Sequence, residues 1–244
     1  MLMILRAAQR RHDRRRKRDA WLTFEPRVGA DPCAGFGALE LLDEDRLQPG
    51  ASIARRPRQA AEIITYVREG ALAYEDSTGR SGVIHAGEFQ RLTAGPAMRH
   101  SETNASRTEP AHIFQIWVRP SGAELEPGRE QKRFSAADRR GGLCVIASPD
   151  ARRGSLRIGQ DALVYSAMLD PGQHVVHALS QGRGAWLHLV HGEVSLGDVV
   201  LTTGDGAGIT ADRAVSLTAR EQSEILLFDL GEPLPTPFHD GGIR

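Results

Sequence analysis

Two cysteines in 244 residues, Cys33 and Cys144, cannot build a disulfide framework, and they lack the spacing of a zinc cluster. Each stands alone, which reads as an incidental thiol and points to a reducing, cytoplasmic setting. No stretch approaches the 18 or so uninterrupted apolar residues of a membrane-spanning helix, and none is expected. Long 3.6-residue apolar periodicity is missing, which argues against a helical fold. There is no Gly-x-Ser-x-Gly elbow, no P-loop and no His-Glu-x-x-His. The Gly204-x-Gly206-x-Gly208 run lacks the strand–helix context of a dinucleotide site. Net charge is also absent, with 31 Lys+Arg balancing 31 Asp+Glu.

That balance hides an asymmetry. Residues 1–18 carry eight basic side chains (Arg6, Arg10, Arg11, Arg14, Arg15, Arg16, Lys17, Arg18) against Asp13, leaving this segment near +7 and the remainder near −7. The apolar Met1 to Leu5 precedes the charges, the reverse of a secretory signal. The run has no interleaved aromatics and no accompanying nucleic-acid-binding motif, so it reads as a solvated basic loop before it reads as a nucleic-acid contact.

What is present is a series of short β-rich runs separated by turn signals. Strands are expected over Glu62 to Val67, Ala71 to Tyr74, Gly82 to Ile84, Phe89 to Leu92, His112 to Val118, Leu163 to Met168, Ala185 to Val190, Val194 to Leu196, Val199 to Leu201, Ala214 to Leu217 and Ile225 to Leu230. Asp76-Ser77-Thr78-Gly79 and Gly197-Asp198 have hairpin-turn chemistry. One unit recurs: strand, Gly70, hairpin, Gly87, strand is repeated as strand, Gly192, hairpin, Gly204, strand. The glycine spacings are 17 and 12 residues. The implied fold is all-β, two small antiparallel barrels or jelly rolls in one chain. We place a basic segment leading into the first barrel at 1–19, the first barrel at 20–120, a polar linker with room for a short helix at 121–140, the second barrel at 141–231 and a tail at 232–244.

The string Glu62-Ile63-Ile64-Thr65-Tyr66-Val67-Arg68-Glu69-Gly70, with Ala86-Gly87-Glu88-Phe89-Gln90, His100-Ser101-Glu102 and Gln115-Ile116-Trp117, resembles the bacterial branch of the pirin family of bicupins. Ser148-Pro149-Asp150-Ala151-Arg152 and Leu226-Leu227-Phe228-Asp229-Leu230 resemble the family's second half. The resemblance implies two cupin barrels packed face to face, with a metal site only in the first. It implies a His-x-His pair plus His and Glu holding iron or another divalent metal, with quercetin dioxygenation in some bacterial members and iron-dependent co-regulation in the eukaryotic one.

His100 and Glu102 match the second pair of ligands, and residues i and i+2 of a strand point to one face. The first pair departs from the pattern, because the family's His-Pro-His falls on Arg56-Pro57-Arg58. A guanidinium stays protonated and offers no lone pair. At 4 Å and an effective dielectric near 20, its repulsion of a divalent ion is roughly 8 kcal/mol. Loss of the metal is therefore expected, with Arg56 or Arg58 pairing with Glu102 in its place. Outward-turned arginines and a hydrogen-bonded barrel histidine remain the plainer arrangement. Glu62 and His112 are the candidates for rescuing a site that would then take iron, nickel, copper, manganese or cobalt. Of the other histidines, the pairs His174/His177 and His188/His191 read as surface or turn residues, and His12, His85 and His239 as loop residues.

The expected function is a non-catalytic small-ligand-binding or regulatory protein, its ligand anionic in keeping with the arginines, or a protein with a partner-binding surface. The alternatives are a metal-dependent quercetin 2,3-dioxygenase with an atypical ligand set and a nucleic-acid-associated co-regulator. No membrane contact is expected, and a monomer is the default because two barrels can cover each other's apolar faces.

Overall fold

The computed structural model describes residues 1–24, 35–53, 61–77, 79–94, 100–119, 121 and 127–231. Within them the chain forms four antiparallel sheets. The first large sheet runs, in spatial order, Gly128–Arg133, Glu88–Ala94, Ala61–Glu69, Ala111–Val118, Leu39–Leu47, Arg18–Phe24 and Arg11–Arg15. Its smaller partner is Ser52–Ile53, His100–Asn104, Ala71–Asp76 and Ser81–His85. The second large sheet is Leu2–Leu5, Gly206–Ile209, Gly184–His191, Ser223–Leu230, Ala162–Leu169, Cys144–Ser148 and Leu156–Arg157, the last added in parallel. Its partner is His174–Ala178, Ala214–Ala219, Glu193–Leu196 and Val199–Thr202. All eleven expected strands form, with small shifts at their ends.

The two large sheets face each other. Successive side chains of a strand alternate between faces, so Ile64 and Tyr66, Phe89, Phe114 and Ile116 leave the first barrel. They pack against Ile146, Val164, Trp186, Leu226 and Phe228 of the second in one central core. The second barrel's own interior is closed by apolar side chains, among them Leu169, Leu187, Leu189, Val194, Leu201 and Leu227.

The repeat is visible in backbone geometry. Gly70 and Gly192 (φ 78° and 93°) end the first strand of each copy, and Gly87 and Gly204 (φ 82° and 86°) precede the last. All four sit in the left-handed region that favours glycine. A Cβ on Gly70 would come within 2.6 Å of the Pro110 carbonyl oxygen, and one on Gly192 within 2.4 Å of that of Gln222. Gly192→Ala is therefore expected to lose about 1–3 kcal/mol of stability in urea titration. Wild-type stability in that variant would show that the turn yields freely.

Two regions differ from expectation. Residues 1–19 do not simply lead into the first barrel: Leu2–Leu5 pairs with Gly206–Ile209 at the edge of the second. Arg11–Arg15 and Arg18–Phe24 then form a hairpin on the first barrel, so the run is not a loop. Arg10 and Arg18 are buried in ion pairs with Glu44 (2.8 Å) and Asp45 (2.6 Å). Likewise the expected linker contains Gly128–Arg133, an integral strand of the first sheet paired with Glu88–Ala94. The short helix does occur there, at Ala136–Arg139, capped by Ser135. The misread strands Arg11–Arg15 and Gly128–Arg133 are the two edges of that sheet. Edge strands carry charge to resist further pairing, and so they lack the apolar alternation of interior strands.

A buried charge network ties the halves together. Glu224 of the second barrel accepts from Tyr66 Oη (2.5 Å) and Arg68 Nε (3.0 Å) of the first, and from Arg139 Nη1 (2.8 Å) of the joining helix. Beside it, Glu44 accepts from Arg10 and lies 2.9 Å from His112 Nε2. Burial pushes the Glu44 carboxyl up, but the His112 hydrogen bond and the Arg10 charge outweigh it and bring it down to about 2.

Candidate functional site

The inward face of the first large sheet carries a polar row. Pairing places Asp43 opposite Gln115, Gln115 opposite Thr65, Thr65 opposite Gln90 and Gln90 opposite Gln131. Two residues along each of four strands, on the same face, Leu41, Trp117, Ile63 and Leu92 form a small apolar cluster. The interior is thus an apolar patch bordered by a belt of amides and acids, which is how a small-molecule pocket is commonly lined.

The smaller sheet closes over this belt and delivers Glu102, whose strand partners are Tyr74 and Ile53. Glu102 is 5% exposed, and Gln115 Nε2 donates to its Oε2 across the barrel. His100 lies on the same face, its Nε2 4.0 Å from Glu102 Oε1, so the i, i+2 pairing expected from the sequence is realised. Arg56 and Arg58 lie outside the described residues, and with them the proposed pairing to Glu102; Cys33, Thr78 and His239 lie outside as well.

Another arginine does reach this pocket. Arg129, from the edge strand misread as linker, stacks its guanidinium 3.8 Å from the centre of the Tyr74 ring. Its Nη1 donates to Gln90 Oε1 and its Nη2 lies 3.6 Å from Asp76 Oδ2. Burial holds this guanidinium below its ordinary value, opposed by Tyr74, Asp76 and Glu102. The sequence carried a partial signal in Gln90 and Gln115, polar residues at inward positions of otherwise apolar strands. Nothing local marked Arg129.

The two candidate rescue ligands do not enter the barrel. Glu62 precedes inward-facing Ile63 and so points outward, where it accepts from the Gly159 amide at 2.7 Å. His112 lies between Glu44 and Arg68 Nη1, the latter 3.4 Å from its Nδ1. Glu62 and Glu102 therefore occupy opposite faces of the barrel wall and cannot act as an acid–base pair on one substrate. No group of three His, Cys, Asp or Glu able to hold a metal occurs among the described residues. His100 and Glu102 supply two donors, and the nearby Arg129 charge opposes a cation. The other two positions that the resemblance gives to metal ligands, Arg56 and Arg58, lie outside the described residues.

The remaining histidines part company. His174 meets Thr218 at the surface (2.9 Å), as expected. His177 is instead held 2.7 Å from Asp229, in a cluster that Arg183 shares. His188 is fully buried rather than superficial, and burial, then the Arg10 charge, brings it down to about 3. Cys144 is half-buried, and burial pushes its thiol up.

Two face-to-face barrels, one filled by apolar side chains and one keeping a polar interior, define a bicupin. The chain belongs to the pirin family: residues 7–118 match the Pirin model and 145–230 match the quercetinase C-terminal cupin domain. It is 38% identical over 231 residues to the quercetin 2,3-dioxygenase of Escherichia coli K12, covering 94% of this chain and 99% of that protein. It is 36% identical over 197 residues to a pirin-like protein of Caulobacter vibrioides, covering 80% and 84%. The crystal structure of YhhW from Escherichia coli superposes with a TM-score of 0.88 at 38% identity, covering 98% and 100%. Its nickel(II) complex superposes with a TM-score of 0.87 at 37% identity, covering 97% and 100%. No helix among the described residues is long and apolar enough to cross a membrane.

Proposed function

We propose that this pirin-family bicupin is a cytoplasmic binding or regulatory protein whose first barrel holds a small anionic ligand without a catalytic metal. The observation that carries this reading is the Arg129 guanidinium, stacked on Tyr74 in the barrel interior to which His100 and Glu102 also belong. Arg56 and Arg58 at the positions of the missing histidines add cationic character by sequence. Guanidinium groups recognise carboxylates and phosphates through paired hydrogen bonds, and the apolar cluster beside them suits a hydrocarbon or ring portion.

The relatives named quercetin 2,3-dioxygenase favour a second reading, the same reaction supported by an atypical ligand set. One experiment separates the two. The untagged protein is incubated with iron, nickel, copper, manganese or cobalt, desalted, analysed by plasma mass spectrometry and assayed for loss of quercetin absorbance. The ligand-binding reading expects metal far below stoichiometric and no turnover. Near-stoichiometric metal with quercetin consumption would replace it with the dioxygenase reading.

A further inference from the structure

We infer a second ligand site, for a small carboxylate or phosphate carrying a hydroxyl donor, in the cleft between the barrels. The cleft has a volume of about 720 Å³, within the range of small-molecule pockets. It is independent of the first-barrel pocket. Alternation sends Ile63, Gln90 and Leu92 inward, while Glu62, Arg91 and Thr93 emerge on the opposite face of the same strands and line the cleft.

Glu62 and Thr93 form its floor, each 2% exposed. Glu62 accepts from the Gly159 amide and from Thr93 Oγ1 at 3.5 Å; among the described residues no cation is within ion-pair distance of it, and the Arg91 charge acts on it from farther away. A buried carboxylate with spare lone pairs and no ion-pair contact costs free energy, and a ligand hydroxyl supplies a further donor. Above it stand two guanidiniums. Arg91 Nη1 donates to Thr93 and its Nη2 is 3.8 Å from Glu130, while its buried Nε has no hydrogen-bond partner among the described residues. Arg157 gives its Nε to the Pro149 carbonyl at 3.2 Å, and among the described residues its terminal nitrogens meet no acceptor. Glu130 is bound more closely by Lys132, at 2.7 Å. Asp161, the other acid of the cleft, is neutralised by Arg183 Nη1 at 2.7 and 2.8 Å. What is left facing the space is donor-rich cationic character over one buried acceptor, a set that fits an anion with an adjacent hydroxyl. Monohydrogen or dihydrogen phosphate and malate both carry that combination.

The test is an amide NMR titration of the isotope-labelled full chain with inorganic phosphate and, separately, with malate. Saturable shifts centred on Thr93, Gly128, Arg157 and Gly159 are expected with at least one probe, weakened about tenfold or more in Arg157→Ala and in Arg91→Gln. Arg157 is exposed, so its replacement leaves the fold intact even if Arg91→Gln does not fold. The inference is overturned by an absence of shifts at those amides with either ion up to about 10 mM. It is equally overturned by shifts centred on Glu102 and Gln115 instead, or by unchanged affinity in Arg157→Ala.

Discussion

The double variant Arg56→His/Arg58→His is expected to retain close to one equivalent of nickel or iron after desalting, where the natural chain retains far less. His100 and Glu102 already share one face of the smaller sheet, 4.0 Å apart, so two donors are in place. The substitutions remove two groups without lone pairs and return two imidazoles. A guanidinium 4 Å from a divalent ion would repel it by roughly 8 kcal/mol, a cost a neutral imidazole does not carry. The measurement is metal content by plasma mass spectrometry on protein shown to be folded by circular dichroism. If the folded double variant takes up no metal, the loss extends beyond two ligands. Arg129, close enough to Glu102 and Asp76 for their charges to act on it, is then the next group to replace.

Glu224→Gln is expected to destabilise the chain by about 3–5 kcal/mol, the usual result of removing one member of a buried ion pair. Glu224 is 4% exposed and accepts from Tyr66, Arg68 and Arg139. Its neutral replacement leaves Arg139, itself 4% exposed, as an uncompensated charge between the barrels. For a chain of this size each kcal/mol moves the melting temperature by about 2–4 °C, so thermal unfolding should fall by about 6–20 °C. The partners come from both barrels and from the segment joining them, so the loss should weaken docking as well as local packing. A fall of less than about 2 °C would mean that the network contributes little beyond satisfying its own desolvation.

Much of the fold was legible because the interior strands alternate. Glu62 to Val67 and His112 to Val118 announce themselves through β-branched and aromatic residues, and the repeated glycines mark equivalent left-handed turns. Arg11–Arg15 and Gly128–Arg133 were not legible, because edge strands exposed to solvent carry charge in place of a pattern. Leu39–Leu47 escaped for another reason. Its acids Asp43, Glu44 and Asp45 are buried, an arrangement made tolerable by Arg18 for Asp45 and by Arg10 and His112 for Glu44. Those partners lie far away in sequence, and no local rule predicts them.

By itself, the sequence determined that the chain is a two-barrel β protein and that His100 and Glu102 share a strand face. These properties depend on residue identity and on the two-residue period of a strand, both local. Tertiary structure alone decided which face of each strand became the barrel interior. It turned Glu62 outward to the interbarrel cleft, brought Arg129 onto Tyr74, and drew Arg10 and Arg18 out of a nominal basic run into buried pairs. Alternation divides a strand into two faces but does not label them. The label comes from which other strands, remote in sequence, supply the apolar surface or the opposite charge that each face needs.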